Sequence, residues 1–240
     1  MSEELRVAVD GPAWTFALNR PDKRNALSAA LVEALLDGVA RAHSAGAALL
    51  VFRGEGSNFS AGFDFGGVEA QSEGDLLLRF VRIEQLLNAI GGSPALTLAL
   101  AHGRNFGAGV DIVGACRLRM ASADASFRMP GLKFGLVLGT RRFGAIVGAA
   151  QARAILQEAR TFDAAQALAM GFVERLAAPA DWGAAVAAAR DAAVALEAPS
   201  RAALYERLGC EAADADLAAL VRSAARPGLK DRIAAYLRGG

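Results

Sequence analysis

The chain has 240 residues, a formal net charge of +1, 54% hydrophobic residues and 21% charged residues. This composition excludes an intrinsically disordered protein, because such chains combine low hydrophobicity with a high net charge. Near-neutral charge without a block of like charges argues against a dedicated nucleic-acid binder. The length predicts one large domain or two small ones.

The N-terminus and the cysteines indicate a cytoplasmic protein. The start, MSEE at Met1–Glu4, is acidic and lacks the apolar stretch of a secretory signal. Apolar runs such as Ala95–Ala101 have the length of a strand and are too short to span a bilayer. Cys116 and Cys210 are the only cysteines, and no metal-ligand spacing of Cys and His occurs. We therefore expect no membrane segment and no metal.

The first 130 residues alternate predicted strands and helices. The predicted strands are Leu5–Val9, Trp14–Leu18 (paired with the first), Ala48–Arg53, Leu96–Ala101, Arg117–Ala121 and Ser126–Met129. The predicted helices run from the N-cap Ser28 to about Ala45, over Asp75–Ile90, and in a short segment with Asp111 in its first turn. Glycine-rich loops, Gly54–Gly67 and Gly103–Gly109, follow two of the strands.

From about Arg141 onward the pattern is helical and rich in alanine. Helices are predicted near 141–157, 163–170, 181–196, 199–208, 211–224 and 228–238. Strands interleaved with helices, followed by helices alone, indicate an α/β body with a helical C-terminal section. We place the boundary between 1–176 and 177–240.

The two glycine-rich loops are the first candidates for a binding site, because glycine allows a ligand to approach the backbone closely. Neither loop fits the dinucleotide-binding pattern GxGxxG in a first βαβ unit, and the chain has no phosphate-binding GxxxxGK[ST]. No GxSxG nucleophile motif occurs either. A single loop of this kind is more often structural than functional, so only the combination is informative.

Three ordered motifs together resemble the crotonase superfamily, the enoyl-CoA hydratase/isomerase family. They are LNRPDKRNALS at Leu18–Ser28, FSAGFDF at Phe59–Phe65 and LAHGRNFGAGVDI at Leu100–Ile112, which match the family patterns LNRPxxxNALS, FxAGxDL and VxGxxxGxGxxL. The resemblance extends to about Leu176. It implies an α/β, crotonase-like spiral of ββα units whose C-terminal helices, within 177–240, serve trimerisation. A homotrimer or a dimer of trimers is therefore expected.

The resemblance also implies an acyl-CoA ligand and no cofactor other than the coenzyme A of the substrate itself. By position, the backbone N–H groups of Phe63 and Ala108 would form an oxyanion hole for the thioester oxygen, where enolate charge develops. Asp111, three residues after Ala108 on a helix, would lean back over that N–H group and act as acid or base. These three residues are the candidate catalytic set.

Further residues are expected to contact the acyl-CoA. Arg24 is a candidate phosphate ligand, since a guanidinium forms charge-assisted hydrogen bonds with phosphate. The others would border coenzyme A, pantetheine or the acyl group, and Asp64 is as much a helix cap as a ligand contact on these grounds. This set consists of Arg24, Ala26, Ala61, Gly62, Asp64, Phe65, Pro130 and Gly131.

The second carboxylate of the family hydratases is missing, since Gly131 stands at its position and no acidic residue occurs between Asp124 and Glu158. The glycine-rich run at 135–143 is also shortened. A single acid/base group suits isomerisation or proton shuttling better than hydration. The alternatives are a catalytically reduced paralogue that binds CoA thioesters, or a decarboxylase or thioester hydrolase.

The last alternative would recruit Arg141 or His102. Arg141 and Arg142 are otherwise predicted to begin a surface helix, and His102 ends a strand. Glu84 is a remote candidate for an acid or base, because glutamates on helices are usually solvated.

Overall fold

The computed structural model describes residues 3–209 and 212–239. The sequence expectations that involve Met1, Ser2, Cys210 and position 211 fall outside this part of the chain. The described residues form a mixed α/β structure with two sheets.

The larger sheet contains six strands in the order β1-β2-β3-β4-β6-β9. These are β1 (Leu5–Asp10), β2 (Ala13–Leu18), β3 (Leu49–Gly54), β4 (Leu96–Ala101), β6 (Leu118–Ala121) and β9 (Arg175–Leu176). The first two strands pair antiparallel, as predicted, and the remaining pairs are parallel.

A smaller sheet lies beside it, with the order β5-β7-β8. Its strands are β5 (Arg104–Phe106), β7 (Ser126–Arg128) and β8 (Phe162–Asp163). β5 lies inside the predicted glycine-rich turn, where a three-residue run offers too little periodicity to be predicted.

The helices follow the predicted positions over most of the chain. They are α1 (Ala29–Ser44), α2 (Glu73–Gly91), α3 (Ala108–Ala115), α4 (Thr140–Val147), α5 (Ala149–Glu158), α6 (Ala164–Ala169), α7 (Trp182–Val194), α8 (Ala198–Leu208), α9 (Ala213–Ala224) and α10 (Leu229–Gly239). Ser28 is the N-cap of α1, as predicted, and its Oγ accepts a hydrogen bond from Leu31 N at 3.0 Å.

The prediction of one helix over 141–157 is wrong. Gly148 separates α4 from α5 with a φ of +84° and a ψ of 147°, a conformation outside the helical region. An isolated glycine in an alanine-rich stretch gives no sign of whether it bends the helix or stays within it.

The central strands β3 and β4 of the larger sheet are buried on both faces, which is usual for parallel strands. Along β4, Leu96, Leu98 and Leu100 join an apolar cluster with Ala189 and Ala193 of α7. The alternate residues of β4 face the main core, which also contains the buried sides of α1, α2 and α3.

The last two helices pack on the main core of the same chain. Leu220 of α9 and Ile233 of α10 are fully buried in it, and α9 packs along α2. Trimerisation through the C-terminal section stays a prediction. Within the described residues, no helix is both long enough and apolar enough to cross a membrane.

Candidate functional site

The two glycine-rich segments pack against each other through their backbones. Phe106 N donates a hydrogen bond to Ser60 O at 3.0 Å. A Cβ atom on Gly62, whose φ is +77°, would lie 2.2 Å from Phe106 O and 3.0 Å from Ala108 N. Only glycine tolerates this combination of contact and conformation. The sequence motif therefore places the turn before Phe63 directly against the start of α3.

The amide of Phe63 is oriented by the peptide unit to which it belongs. Leu27 N donates to Gly62 O at 2.7 Å, and Gly62 O and Phe63 N are the two polar ends of one planar peptide. Because a trans peptide points these groups in opposite directions, the Phe63 N–H is directed away from Leu27. Among the described residues, the Phe63 and Ala108 amides donate to no protein acceptor.

Asn25 and Ser60 hold the loops in this arrangement. The Asn25 side chain is fully buried and donates to Glu55 O at 2.8 Å and to Asn58 O at 2.7 Å. Ser60 Oγ donates to Asn25 O at 2.8 Å and accepts from Gly62 N at 3.1 Å. Both residues belong to the motifs described above, and this is the sequence feature from which their role in holding the loops could have been predicted.

The residues that carry the two free amides line one apolar cavity of about 100 Å³. Of the residues singled out from the sequence, seven line it: Ala61, Phe63, Phe65, Ala108, Asp111, Pro130 and Gly131. Most other lining side chains are Phe or Leu, and the polar ones are Asp111, Thr140 and Tyr236. The cavity thus offers an apolar chamber with few polar groups, which is typical of a small-molecule site.

Asp111 is the acidic side chain of this cavity. It is 5% exposed, and its Oδ1 is a buried atom without a hydrogen-bond partner in the described structure. The backbone of Gly139 covers this oxygen. Burial raises the pKa of Asp111 well above its usual range, and the Glu84 carboxylate raises it further, while Arg142 partly opposes both effects. A pKa moved in this direction is typical of a group that exchanges protons.

Glu84 and Arg142 form a buried ion pair next to Asp111. Arg142 Nη2 lies 2.6 Å from Glu84 Oε1, and the Glu84 side chain is 1% exposed. Arg142 also borders a small void together with Asp111 and Gly139. The expectation of a solvated Glu84 and a surface Arg142 is therefore wrong. The partners lie 58 positions apart, and no local sequence pattern links them.

Helix α9 of the C-terminal section extends this charge cluster. Asp216 of α9 lies 2.7 Å from Arg141 Nη2 and 3.4 Å from Arg142 Nη2. Two guanidinium groups thus face Glu84 and Asp216, and both cations are engaged by other carboxylates than Asp111. Because both guanidinium groups pair with carboxylates other than Asp111, this arrangement agrees with the raised pKa of Asp111.

The other predicted contact residues, Arg24, Ala26, Gly62 and Asp64, do not line the cavity. Arg24 is exposed, with a φ of +51°, and its carbonyl accepts from Ala61 N at 2.8 Å. Asp64 accepts from Arg20 Nη1 at 2.8 Å and from Gly66 N at 2.9 Å. Burial alone would raise the pKa of Asp64, but these partners hold it below its ordinary value.

The residues considered for decarboxylation or thioester hydrolysis lie outside the cavity. His102 Nε2 is 2.9 Å from Gly56 O, and its ring packs edge-on against Trp182. Arg141 forms a two-atom contact with Asp216. Neither side chain is among those that line the chamber.

Tyr236 was not anticipated from the sequence. It lies on α10, lines the cavity and packs against Phe134 with 5.2 Å between ring centroids. Arg232 Nε fixes this helix by donating to Phe134 O at 3.0 Å. An aromatic residue on a predicted helix gives no sign of its distant partner. Over the described part of the chain, no group of three or more His, Cys, Asp or Glu side chains is placed to hold a metal ion.

Comparison with known proteins gives consistent matches. Residues 14–206 match the family model described as Enoyl-CoA hydratase/isomerase. A crystal structure from Bordetella parapertussis assigned to the enoyl-CoA hydratase/isomerases aligns with a TM-score of 0.97 and 62% identity, over 98% of this chain and 99% of that one.

Two more distant relatives agree with this match. The echA6 protein of Mycobacterium tuberculosis, named among the enoyl-CoA hydratases, is 35% identical over 180 residues, which is 72% of each chain. A structure from Thermobifida fusca YX, solved in complex with acetoacetyl-CoA, has 26% identity and a TM-score of 0.78 and covers 93% of both chains.

Proposed function

The chain belongs to the enoyl-CoA hydratase/isomerase family, and from that premise we propose that it binds an acyl-CoA thioester and stabilises the enolate formed from it. The α/β fold with its helical C-terminal section is that of the crotonase superfamily. The Thermobifida fusca relative binds acetoacetyl-CoA, which supports a CoA thioester as the ligand.

The thioester oxygen lies between the amides of Phe63 and Ala108 in this proposal. Phe63 and Ala108 both line the cavity, and their amides have no protein acceptor in the described structure. Ala108 is the first residue of α3, so the helix dipole strengthens its N–H group as a donor. Fixed donors of this kind stabilise developing negative charge, and the loss of one costs about 3 to 4 kcal/mol in comparable sites.

Asp111 moves the proton. Asp111 lines the same cavity as Phe63 and Ala108, and this shared lining is the observation that carries the proposal. The carboxylate removes a proton from the carbon next to the thioester, and the neutral acid returns it to another carbon of the enolate. A raised pKa brings the group toward the pH at which it both accepts and donates.

This chemistry needs one carboxyl group, so we propose isomerisation or proton shuttling ahead of hydration. The first experiment follows the enoyl-thioester absorbance of crotonyl-CoA, and the double-bond position of a 3-enoyl-CoA, with the wild type and Asp111→Ala. We expect conversion of the 3-enoyl-CoA by the wild type alone. Equal turnover by Asp111→Ala would contradict the role of Asp111.

A second candidate is a catalytically reduced protein that binds CoA thioesters without converting them. Gly131 favours it, because this position lines the cavity but brings no carboxylate. Binding of acyl-CoA without product from any enoyl-CoA would support this candidate, and one converted substrate would exclude it.

Assembly, location and cofactor use are part of the same proposal. We expect a homotrimer or a dimer of trimers in the cytoplasm, with no cofactor beyond the coenzyme A of the substrate. Light scattering of the purified protein gives the oligomeric state, and full activity after exhaustive dialysis against a chelator tests the absence of a cofactor.

A further inference from the structure

The side chain of Phe63, which carries the first candidate oxyanion amide, contacts two consecutive residues of α2. Its ring stacks on Phe80, with 4.3 Å between centroids and an interplanar angle of 23°. The Arg79 guanidinium carbon lies 4.1 Å from the centroid of the same ring. A cation at this distance from an aromatic ring is attracted to its π electrons. Phe63 itself is 7% exposed, so protein atoms cover most of the surface of this residue.

The same guanidinium also binds two backbone carbonyls near the candidate amide, one on each of the two paired segments. Arg79 Nη2 donates to Asp64 O at 2.8 Å and to Leu27 O at 3.5 Å. Leu27 O in turn accepts from Asp64 N at 3.2 Å, and Leu27 N binds Gly62 O. Arg79 thus braces the two segments whose pairing sets the plane of the Gly62–Phe63 peptide. Both carbonyls are bound by the same nitrogen, Nη2, which lies one bond beyond the guanidinium carbon. A lysine Nζ would stand about 1.3 Å short of that position.

We propose that Arg79 is a positioning residue that holds the Phe63 amide in the orientation needed to receive the thioester oxygen. This inference rests on the proposed function, because it assumes that the amide acts as an oxyanion donor. Arg79 does not line the cavity, so its effect passes through the Phe63 ring and the Asp64 and Leu27 carbonyls. Displacement of a positioned group by about 1 Å costs on the order of 100-fold in rate in enzymes, so small shifts are measurable.

The test uses acetoacetyl-CoA, whose enolate absorbs in the near ultraviolet and whose binding is measured separately by calorimetry. The variants are Arg79→Met, Arg79→Lys and the matched control Arg82→Met. Arg82 lies one turn further along α2, where it pairs with Glu33 at the surface, and it is not in contact with the Phe63 ring. At saturation we expect about 10-fold less enolate in Arg79→Met, a smaller loss in Arg79→Lys and wild-type enolate in Arg82→Met.

The dissociation constant should change less than the enolate fraction, and kcat for the true substrate should fall more than KM rises. A purely structural role would lower the melting temperature and leave the enolate fraction of the bound ligand unchanged. A wild-type enolate fraction in a folded Arg79→Met would therefore overturn this inference and leave the proposed function intact. If the wild type binds the ligand without forming enolate, the proposed function fails and the inference fails with it.

Arg79→Lys keeps the test decisive if Arg79→Met does not fold. Lysine retains a cation for the ring, but its nitrogen stands about 1.3 Å short of the Nη2 position from which Arg79 contacts both carbonyls, so it cannot reproduce both contacts at the same lengths. The inference would be supported if the enolate fraction with Arg79→Lys lies below that with Arg82→Met and above that of acetoacetyl-CoA without protein. A fraction equal to that of Arg82→Met would overturn it.

Discussion

A Cβ atom on Gly139 would lie 1.7 Å from Oδ1 of Asp111. The φ of Gly139 is +63°, so its conformation and its contact both require glycine. The shortened run after Gly135 thus brings the chain directly onto the carboxyl group. This contact excludes water from Oδ1 and accounts for its lack of a partner.

Gly139→Ala should therefore destabilise the protein and displace Asp111. We expect a loss of about 2 to 4 kcal/mol in the free energy of unfolding, from left-handed strain together with overpacking. Gly46→Ala is the control, because Gly46 has a φ of +71° and nothing within 4 Å of its would-be Cβ. It should cost about 1 kcal/mol. The double variant Asp111→Ala/Gly139→Ala should recover part of the loss, and strict additivity in urea unfolding would contradict the predicted clash.

The raised pKa of Asp111 predicts a pH-dependent penalty on stability. A carboxyl group whose pKa is higher in the folded state favours folding at low pH, and this contribution is lost as the pH rises through the folded pKa. The free energy of unfolding of Asp111→Asn, relative to the wild type, should thus increase from pH 4 to pH 8. Glu84 is present in both proteins, so the difference reports Asp111 and its coupling to Glu84. A flat difference would show that Asp111 titrates normally.

Glu84→Gln should affect both stability and the pH profile of activity. It leaves Arg142 with the more distant Asp216, and breaking such a buried pair costs about 3 kcal/mol. Removal of the nearby negative charge should lower the pKa of Asp111 and move the kcat profile to lower pH. Glu33→Gln is the control, since Glu33 pairs with Arg82 at the surface and should cost below about 1 kcal/mol. An unshifted profile in a folded Glu84→Gln would refute the coupling.

Gly131→Glu should introduce hydratase activity. The family resemblance places a glutamate at this position, and the residue lines the cavity that contains Asp111. A Cβ atom here would lie 3.1 Å from Leu136 O, so the neighbouring turn has to yield by a few tenths of an ångström. Gly131→Ala has the same steric cost and no carboxylate. We expect Gly131→Glu to hydrate crotonyl-CoA about 10- to 100-fold faster than Gly131→Ala, since one acid/base group contributes about 100-fold or more when well placed. Equal rates would count against a two-carboxylate arrangement in this cavity.

The sequence was sufficient for those parts of the site that local patterns determine. The three motifs predicted the position of Phe63, Ala108 and Asp111, and all three border one cavity. The helical spacing between Ala108 and Asp111 was enough to place both residues in the first turn of α3. Ser28 was correctly predicted as an N-cap for the same reason, because its hydrogen bond is made within one turn.

Contacts between distant segments were not accessible in this way. The Glu84–Arg142 pair joins α2 to α4, and a helical glutamate looks the same in a sequence whether it is buried or solvated. The sequence contains no signal for the Arg79–Phe63 contact either, because an arginine on a helix is normally a surface residue. Such pairs depend on how helices pack on the sheet, which composition and periodicity do not specify.

The wall of the cavity extends from Ala61 to Tyr236, so its two sides are made at widely separated times during synthesis. The amides and the carboxyl group come from residues 63–111, yet the chamber stays open on one side until α10 docks on Phe134. Synthesis therefore supplies the loops of the candidate site long before the helix that completes its chamber. A chain that ends before α10 should lack the Tyr236 wall, and its cavity should be open on that side.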